Sequence, residues 1–588
     1  MPTWQQLRDL KLTEYTDAAD GWGKVSSRAN ADKDRVDNGM FAKIHDTQKG
    51  ETAAKAGGDV QQLSRNYQYL HTECGLVRTA LNGLASEMAA PQKKLKQALE
   101  DAENLKFTVQ ADGSVSYPTK SYVLKGDQTA RDGAPFPYLP GKAEGIGSGD
   151  ENKGKAEDIA QRIGDALREA TEIDGRYAAA LRQLKAEPGL TVSDETLADA
   201  ARDTKAMQQA AGKYADDDAI PKGKSPKENA DWWNGLTQEQ RDEYATLYPA
   251  SVGALDGIPS AVRDDANRMV LAESKAQYRL ELKTIPPQPQ EYLPNPSGQY
   301  PAVIKNPEWR EWDKKYGDRK AHLESSLKGM DAIDERFAKT GKDGLPEAYL
   351  LGFSPEGHGR AIVANGNPDT AQHTAVYVPG TTSNLGSIGG NIDRMVNLWR
   401  ASDAAAPGET TSTITWLGYD APQDIVKDAP FSHYANDGAP AYNKFMEGME
   451  VAQGGPDKSH TTAVGHSYGT TLIGSAARQG TLHADDIVFA GSPGVQVGSA
   501  GELDVPKGHV WNEEADGDAV PDIGRWGHGG SQWRLGGGVF LIPSDEVFGA
   551  NQMATDTEGH SGYWDNNSQS LNNQAAVVTG KYGKVVTE

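Results

Sequence analysis

The sequence predicts an α/β protein: a mostly parallel sheet flanked by helices in its C-terminal part, preceded by a largely α-helical N-terminal region. Three observations carry this. The composition changes near residue 340, because residues 1–340 hold 47 basic and 54 acidic side chains while residues 341–588 hold 13 and 29, with 38 of the 65 glycines and 9 of the 12 histidines. Upstream, apolar residues recur at helical spacing within dense mixed charge, the pattern of solvated amphipathic helices. Downstream, short β-branched runs are bounded by glycine-rich turns, as in a buried sheet.

Taken in order, residues 1–37 and 51–104 carry helical spacing, with Leu63, Tyr67, Leu70, Leu76, Leu81, Leu84 and Met88 along one long helix. FTVQADGSVSYP then alternates around Asp112-Gly113, a β-hairpin signal. Residues 126–155 are rich in Gly, Lys and Asp without a period and read as a linker. Helical patterns return from Lys155 to Lys213 and again in DWWNGLTQEQRDEYATLYP, where Thr237 and Glu239 mark a helix start. TIPPQPQEYLPNPSGQYP reads as extended, leading to a charged helix around 308–339. The resulting division is a helical hairpin with a small β-hairpin (1–125), a linker (126–155), a helical region (156–340) and an α/β domain (341–588).

Bulk properties exclude several classes. The 588 residues carry a net charge of −23, unsuited to displacing counterions from a nucleic acid. No apolar run is long enough to span a membrane. MPTWQQLRDLKL lacks the basic start and apolar run of a signal peptide, so the expected location is cytoplasmic, or secreted by another route. Cys74 is the single cysteine, which excludes intrachain disulfides and cysteine zinc sites. No metal or cofactor is expected.

The segment TTAVGHSYGTTLIGSAA, residues 461–477, places a G-x-S-x-G pattern between a β-branched run and a small-residue helical run. That order is what a nucleophile elbow requires. Gly465 and Gly469 remove side chains where the backbone turns sharply, leaving Ser467 at the tip ahead of a helix N-terminus. A serine hydroxyl needs a base, and the base needs an orienting acid. After such an elbow, acid and histidine follow in that order. Among His483, His509, His528 and His560, the last is favoured, because TEGHSGYW follows the final expected strand, NQMATDT. His528, in the expected loop WGHGG, is the alternative. HVWNEEADGDAVPD offers Asp516, Asp518 and Asp522, of which Asp518 is favoured by the apolar Ala-Val-Pro behind it and Asp516 is the runner-up.

An oxyanion hole needs two N–H donors. Tyr468, after the nucleophile, is the expected first, and Thr381 or Thr382, after the run Ala375–Val378 and Pro379-Gly380, the second. AYLLGFS and GRAIVAN read as an opening strand pair, with STITWLGYD and DDIVFAGSPGV as further strands. Trp232-Trp233 reads as helix packing and His466 as an elbow packing residue, while Asp420 lines the pocket or closes a turn.

From about Ala348 onward the chain resembles an actinobacterial α/β-hydrolase-fold family of largely uncharacterised function, through VYVPGT, WLGYDAP, VGHSYG, DDIVFAGSPGV, the Asp518 loop, FGA at 548–550 and GHSGYW. Similar proteins carry the block from Trp232 to Arg268, which implies that about 228–340 packs on the hydrolase. The resemblance implies Ser467, Asp518 and His560 as a triad and implies no substrate. The N-terminal hairpin resembles the Trp-x-Gly family of small type VII secretion substrates. At the expected turn it reads Gln48-Lys49-Gly50, without the tryptophan, and a Tyr-x-x-x-Asp export-like pattern runs from Tyr214 to Asp218. This implies a type VII-like export route, with the N-terminal helices as candidates for self-association or for binding a secretion partner.

The expected function is serine hydrolysis of a carboxylic ester or related small-molecule acyl substrate. An acyltransferase would use the same residues. A non-catalytic interaction protein, with the hydrolase fold as scaffold, is the rival from another class.

Overall fold

Eight short segments of the C-terminal part pair into one sheet: β1 (Ala348–Ser354), β2 (Arg360–Asn365), β3 (His373–Val378), β4 (Thr411–Leu417), β5 (His460–His466), β6 (Asp486–Ala490), β7 (Val510–Glu513) and β8 (Asn551–Gln552). The structure is a computed structural model, and it describes residues 2–40, 43–44, 51–118, 151–185, 189–297, 300–534 and 537–588. The spatial order is β8-β7-β6-β5-β3-β4-β2-β1. β1 and β2 are antiparallel, as are β2 and β4, and the remaining pairs are parallel.

The central strands are buried on both faces, and their alternation sorts side chains between two cores. Ala375, Tyr377, Val464, Val488 and Ala490 join one cluster with Met395 and Leu398 of helix α1 (Ile388–Ala405) and Leu571 and Val577 of a later helix, Gln569–Val578. Val376, Val378, Ala463, Ile487 and Phe489 join the other with Tyr442 and Phe445 of α2 (His433–Gln453) and Leu472 and Ile473 of α3 (Tyr468–Gln479). The final strand is shorter than the expected NQMATDT. After Gln552 the chain turns to the C-terminal tail: Met553 bridges Thr587 and the Ala554 N–H donates to the Val586 carbonyl.

Two compact units divide the chain, one of residues 1–30, 70–190 and 200–219, the other of residues 31–69, 191–199 and 220–588. In the second, helix Ser260–Thr284 covers the free edge of β1. The Leu350 N–H donates to Asp264 Oδ1 at 2.6 Å, Asn267 Nδ2 donates to the Leu350 carbonyl at 2.9 Å, and Arg268 donates to the Ala348 carbonyl at 2.7 Å. Side chains thus complete the ladder that an edge strand leaves open. Trp233 is buried, and Trp232 meets the Tyr244 ring edge-on at 5.2 Å.

In the first unit, helix Trp4–Asp9 begins with a Thr3/Gln6 capping box, and Trp4 Nε1 donates to the Gln110 carbonyl in the turn of a small antiparallel ribbon, Thr108–Val109 with Val115–Ser116. Residues 70–104 are helical and pack on helix Glu151–Leu181, where a Cβ at Gly83 would lie 2.4 Å from the Tyr177 hydroxyl, itself donating to Glu87. Of the expected linker, residues 126–150 lie outside the described residues, as does Gln48-Lys49-Gly50. Tyr214 follows helix Asp194–Ala211, and Asp218 lies in a short turn of 3₁₀ helix. Among the described residues no helix is long and apolar enough to cross a membrane.

At the end of the sheet where β5, β6 and β7 begin, the buried Asp486 carboxylate accepts four donors. Oδ1 takes His509 Nδ1 and Trp511 Nε1, and Oδ2 takes His460 Nε2 and the Tyr582 hydroxyl, all at 2.7–2.9 Å. His460 Nδ1 also meets the Val578 carbonyl at 2.9 Å. Both of its ring nitrogens therefore face acceptors, the arrangement of an imidazolium. Burial pushes the His460 pKa down, but the Asp486 carboxylate and the Val578 carbonyl outweigh it and leave it raised. Burial likewise pushes Asp486 up, and the His460, Tyr582 and Trp511 hydrogen bonds outweigh it and leave it lowered.

Candidate active site

Ser467 occupies the sharp turn between β5 and α3, with φ 55° and ψ −130°, a region that costs a residue with a side chain about 1–3 kcal/mol. The turn closes because its neighbours lack side chains. A Cβ at Gly469 would lie 2.1 Å from the Val378 carbonyl oxygen, and one at Gly465 would lie 2.9 Å from the Thr470 Cα. The loop after β3 approaches from the other side, where a Cβ at Gly380 would lie 2.6 Å from the Ser467 Cβ and 3.0 Å from its Oγ. In that loop the Thr382 N–H donates to the Pro422 carbonyl at 2.6 Å, and both Thr381 and Thr382 line the cavity. Tyr468 lines the same cavity and directs its hydroxyl to the Phe431 carbonyl at 2.5 Å, tying the loop before α2 to the elbow.

The loop after β7 carries Asp518, whose side chain is fully enclosed. His560 Nδ1 lies 2.9 and 2.8 Å from its two oxygens, the Tyr563 hydroxyl donates to Oδ2 at 2.6 Å, and the Val520 N–H donates to Oδ1 at 3.0 Å. Burial pushes this carboxyl up, but the hydrogen bonds from His560, Tyr563 and Val520 outweigh it and hold the pKa below the usual value. Because Nδ1 faces an ionised carboxylate, it carries the proton. Gly491 makes room for the pair: its φ is +57°, and a Cβ there would lie 2.6 Å from Asp518 Oδ2 and 3.0 Å from His560 Nδ1.

His466 does more than pack the elbow. Burial, then the Arg394 charge, push its pKa well down, so the ring is neutral. Its Nε2 donates to the His560 carbonyl at 2.7 Å, its Nδ1 accepts from Arg394 at 3.3 Å, and its ring lies 4.6 Å from that of His560.

The other candidates have other partners, although His528 lines the same cavity as Ser467. Asp516 is exposed and contributes only its carbonyl, which accepts the Gly559 N–H. Asp522 is exposed in the first turn of helix α4 (Val520–His528). His528, expected in a loop, instead ends α4, a helix that buries Pro521 and His528 and leaves Ile523 and Trp526 exposed along the cavity. It is buried, with Nε2 donating to the Ala429 carbonyl and Nδ1 facing the Ser432 hydroxyl. His483 bonds Glu450 and His509 bonds Asp486. Asp420 pairs with Arg360 at the surface and does not line the cavity.

Ser467, Tyr468, Thr381 and His560 open onto a cavity of about 630 Å³. Its outer wall is apolar, formed by Ile425 and Pro430 before α2 and by Ile523 and Trp526 of α4. No described residue of 228–340 lines it. Among the described residues no group of three or more His, Cys, Asp or Glu is arranged to hold a metal ion.

Sequence reasoning gave no role to Tyr563, Gly491 or Arg394. Tyr563 was within reach, three positions beyond His560 in GHSGYW; Gly491 and Arg394 leave no local signal.

Strand order, the sharp turn at Ser467 and helices on both faces define an α/β-hydrolase fold. Residues 354–527 match a family described as alpha/beta hydrolase. An uncharacterized protein of Mycobacterium tuberculosis is 29% identical over 387 residues, covering 61% of this chain and 56% of that protein. An uncharacterized protein of Mycobacterium bovis is 32% identical over 178 residues, covering 28% of this chain and 66% of that protein. The chain thus spans about half the length of the first of these relatives.

Proposed function

We propose that this domain is a serine hydrolase acting on a carboxylic ester or related acyl substrate through an acyl-enzyme. The observation that supports this most directly is the enclosed Asp518 carboxylate bonded to His560 Nδ1, with His560 and the strained Ser467 lining one cavity. In this reading Ser467 Oγ attacks the acyl carbonyl while His560 Nε2 takes its proton. Asp518 fixes the tautomer and stabilises the imidazolium that forms. The N–H groups of Tyr468 and Thr381 receive the oxyanion. His560 then protonates the leaving group, and a water deprotonated by the same nitrogen releases the acid and restores Ser467. His466, neutral and bonded to the His560 carbonyl, is a positioning residue.

A fluorophosphonate probe tests this without a guess at the substrate, since it reacts with a serine activated by a neighbouring base. Wild type is expected to label, and Ser467→Ala and His560→Ala to lose the label while keeping the wild-type circular dichroism spectrum. Folded wild type that does not label, or labelling that survives in Ser467→Ala, overturns the proposal.

A further inference from the structure

Arg394 stands out in the cavity wall. It projects from α1, is half-buried, and lines the cavity together with Ser467 and His560. Among the described residues lining that cavity it is the one cationic side chain other than histidine, and no Asp or Glu lines it. Its hydrogen bonds leave from Nη1 alone and reach neutral acceptors: the Tyr377 hydroxyl at 2.8 Å, Asn391 Oδ1 at 3.3 Å and His466 Nδ1 at 3.3 Å. Its guanidinium carbon lies over the Trp564 ring, 5.1 Å from the ring centroid.

A half-buried guanidinium without a counter-ion is costly to hold. It is more unexpected in a chain with 83 acidic side chains against 60 basic ones. No carboxylate among the described residues pairs with it, and its Nε and Nη2 remain for a ligand. A planar fork of that kind recognises an oxyacid in its own plane. One cation without a second matches a monoanion better than a phosphate dianion.

The geometry points to Arg394 as a specificity-determining residue that pairs with a carboxylate on the substrate, a few bonds from the scissile ester. This rests on the hydrolase reading and deepens it. The substrate is an amphiphilic acyl ester, with its carboxylate against Arg394 and its apolar part along Ile425, Ile523 and Trp526.

The test compares each carboxylated ester with its methyl-capped neutral twin. One pair carries the carboxylate on the acyl side (4-nitrophenyl hydrogen glutarate), and another carries it on the leaving group (3-carboxyphenyl butyrate). In wild type at least one pair is expected to favour the carboxylated ester about tenfold in kcat/KM. Arg394→Gln brings that ratio near one, and Arg394→Lys keeps part of it. A purely structural Arg394 would slow both members alike and leave the ratio unchanged. A wild-type ratio near one for both pairs, or a ratio that survives in Arg394→Gln, overturns the inference. Calorimetry on Ser467→Ala with the corresponding 4-nitroanilide of glutaric acid and its methyl ester reads binding without turnover. Carboxylate-selective binding lost in Ser467→Ala/Arg394→Gln, in a protein that neither labels nor turns over, keeps the subsite and removes the hydrolase. Labelling with no charge preference in rate or binding does the reverse.

Discussion

Asp518→Asn is expected to lower kcat for a cleaved acyl ester about 10⁴-fold while the protein stays folded. The substitution keeps shape and removes charge. Asp518 lies 2.8–2.9 Å from His560 Nδ1 through both oxygens, inside an enclosure that water does not reach. An amide there presents an N–H₂ group at one of the two positions, which opposes the Nδ1–H tautomer and leaves the imidazolium of the transition state uncompensated. Tyr563→Phe removes one neutral donor to the same carboxylate and keeps its charge, so the expected loss is about 10- to 100-fold, the range for a partner that orients rather than reacts. Asp516→Asn, at an exposed turn, should change turnover little. Steady-state kinetics on the three variants check the order, and the assignment of Asp518 fails if its variant is no slower than that of Asp516.

The second large effect is on stability. Asp486→Ala strips one acceptor from four donors at once and is expected to destabilise the domain by about 3–5 kcal/mol, the range for breaking a buried charged pair. The same cluster sets a pH window. His460 is raised in the fold, so its contribution is complete below the ordinary imidazole value and is lost as pH rises through the folded value. Asp486 is lowered, so its contribution is present above the ordinary carboxyl value and is lost as pH falls through the folded value. The combined contribution is greatest between about pH 4 and 6.5. Chemical denaturation of wild type and Asp486→Ala at pH 5.5 and 8.5 checks this: the difference between them should shrink at the higher pH. A constant difference would mean that His460 stays neutral.

The central strands were legible because parallel strands buried on both faces read as continuous β-branched runs, as in Thr411–Leu417 and His460–His466. β8 is shorter than its pattern suggests, because Met553 and Ala554 pair with the C-terminal tail instead of continuing the sheet. The elbow is a local pattern, and chain order directed attention to Asp518 and His560, which the fold brings into hydrogen-bond contact. What stayed hidden depends on contacts between distant positions: Gly491 beneath the Asp518–His560 pair, and Arg394 behind His466. Histidine enrichment was a blurred signal for the same reason. His373, His460, His483 and His509 each bond a carboxylate away from the cavity and serve the framework.

The backbone at Ser467 has a consequence for folding stability. Glycine occupies φ 55°, ψ −130° without the strain that serine bears there. A serine-to-glycine change at this position would therefore remove the hydroxyl and relax the turn in one step. Loss of the hydroxyl therefore lies downhill in folding free energy. On the proposed reading, the serine trades folding stability for a nucleophile, and Ser467→Gly is expected to be inactive and more stable than wild type.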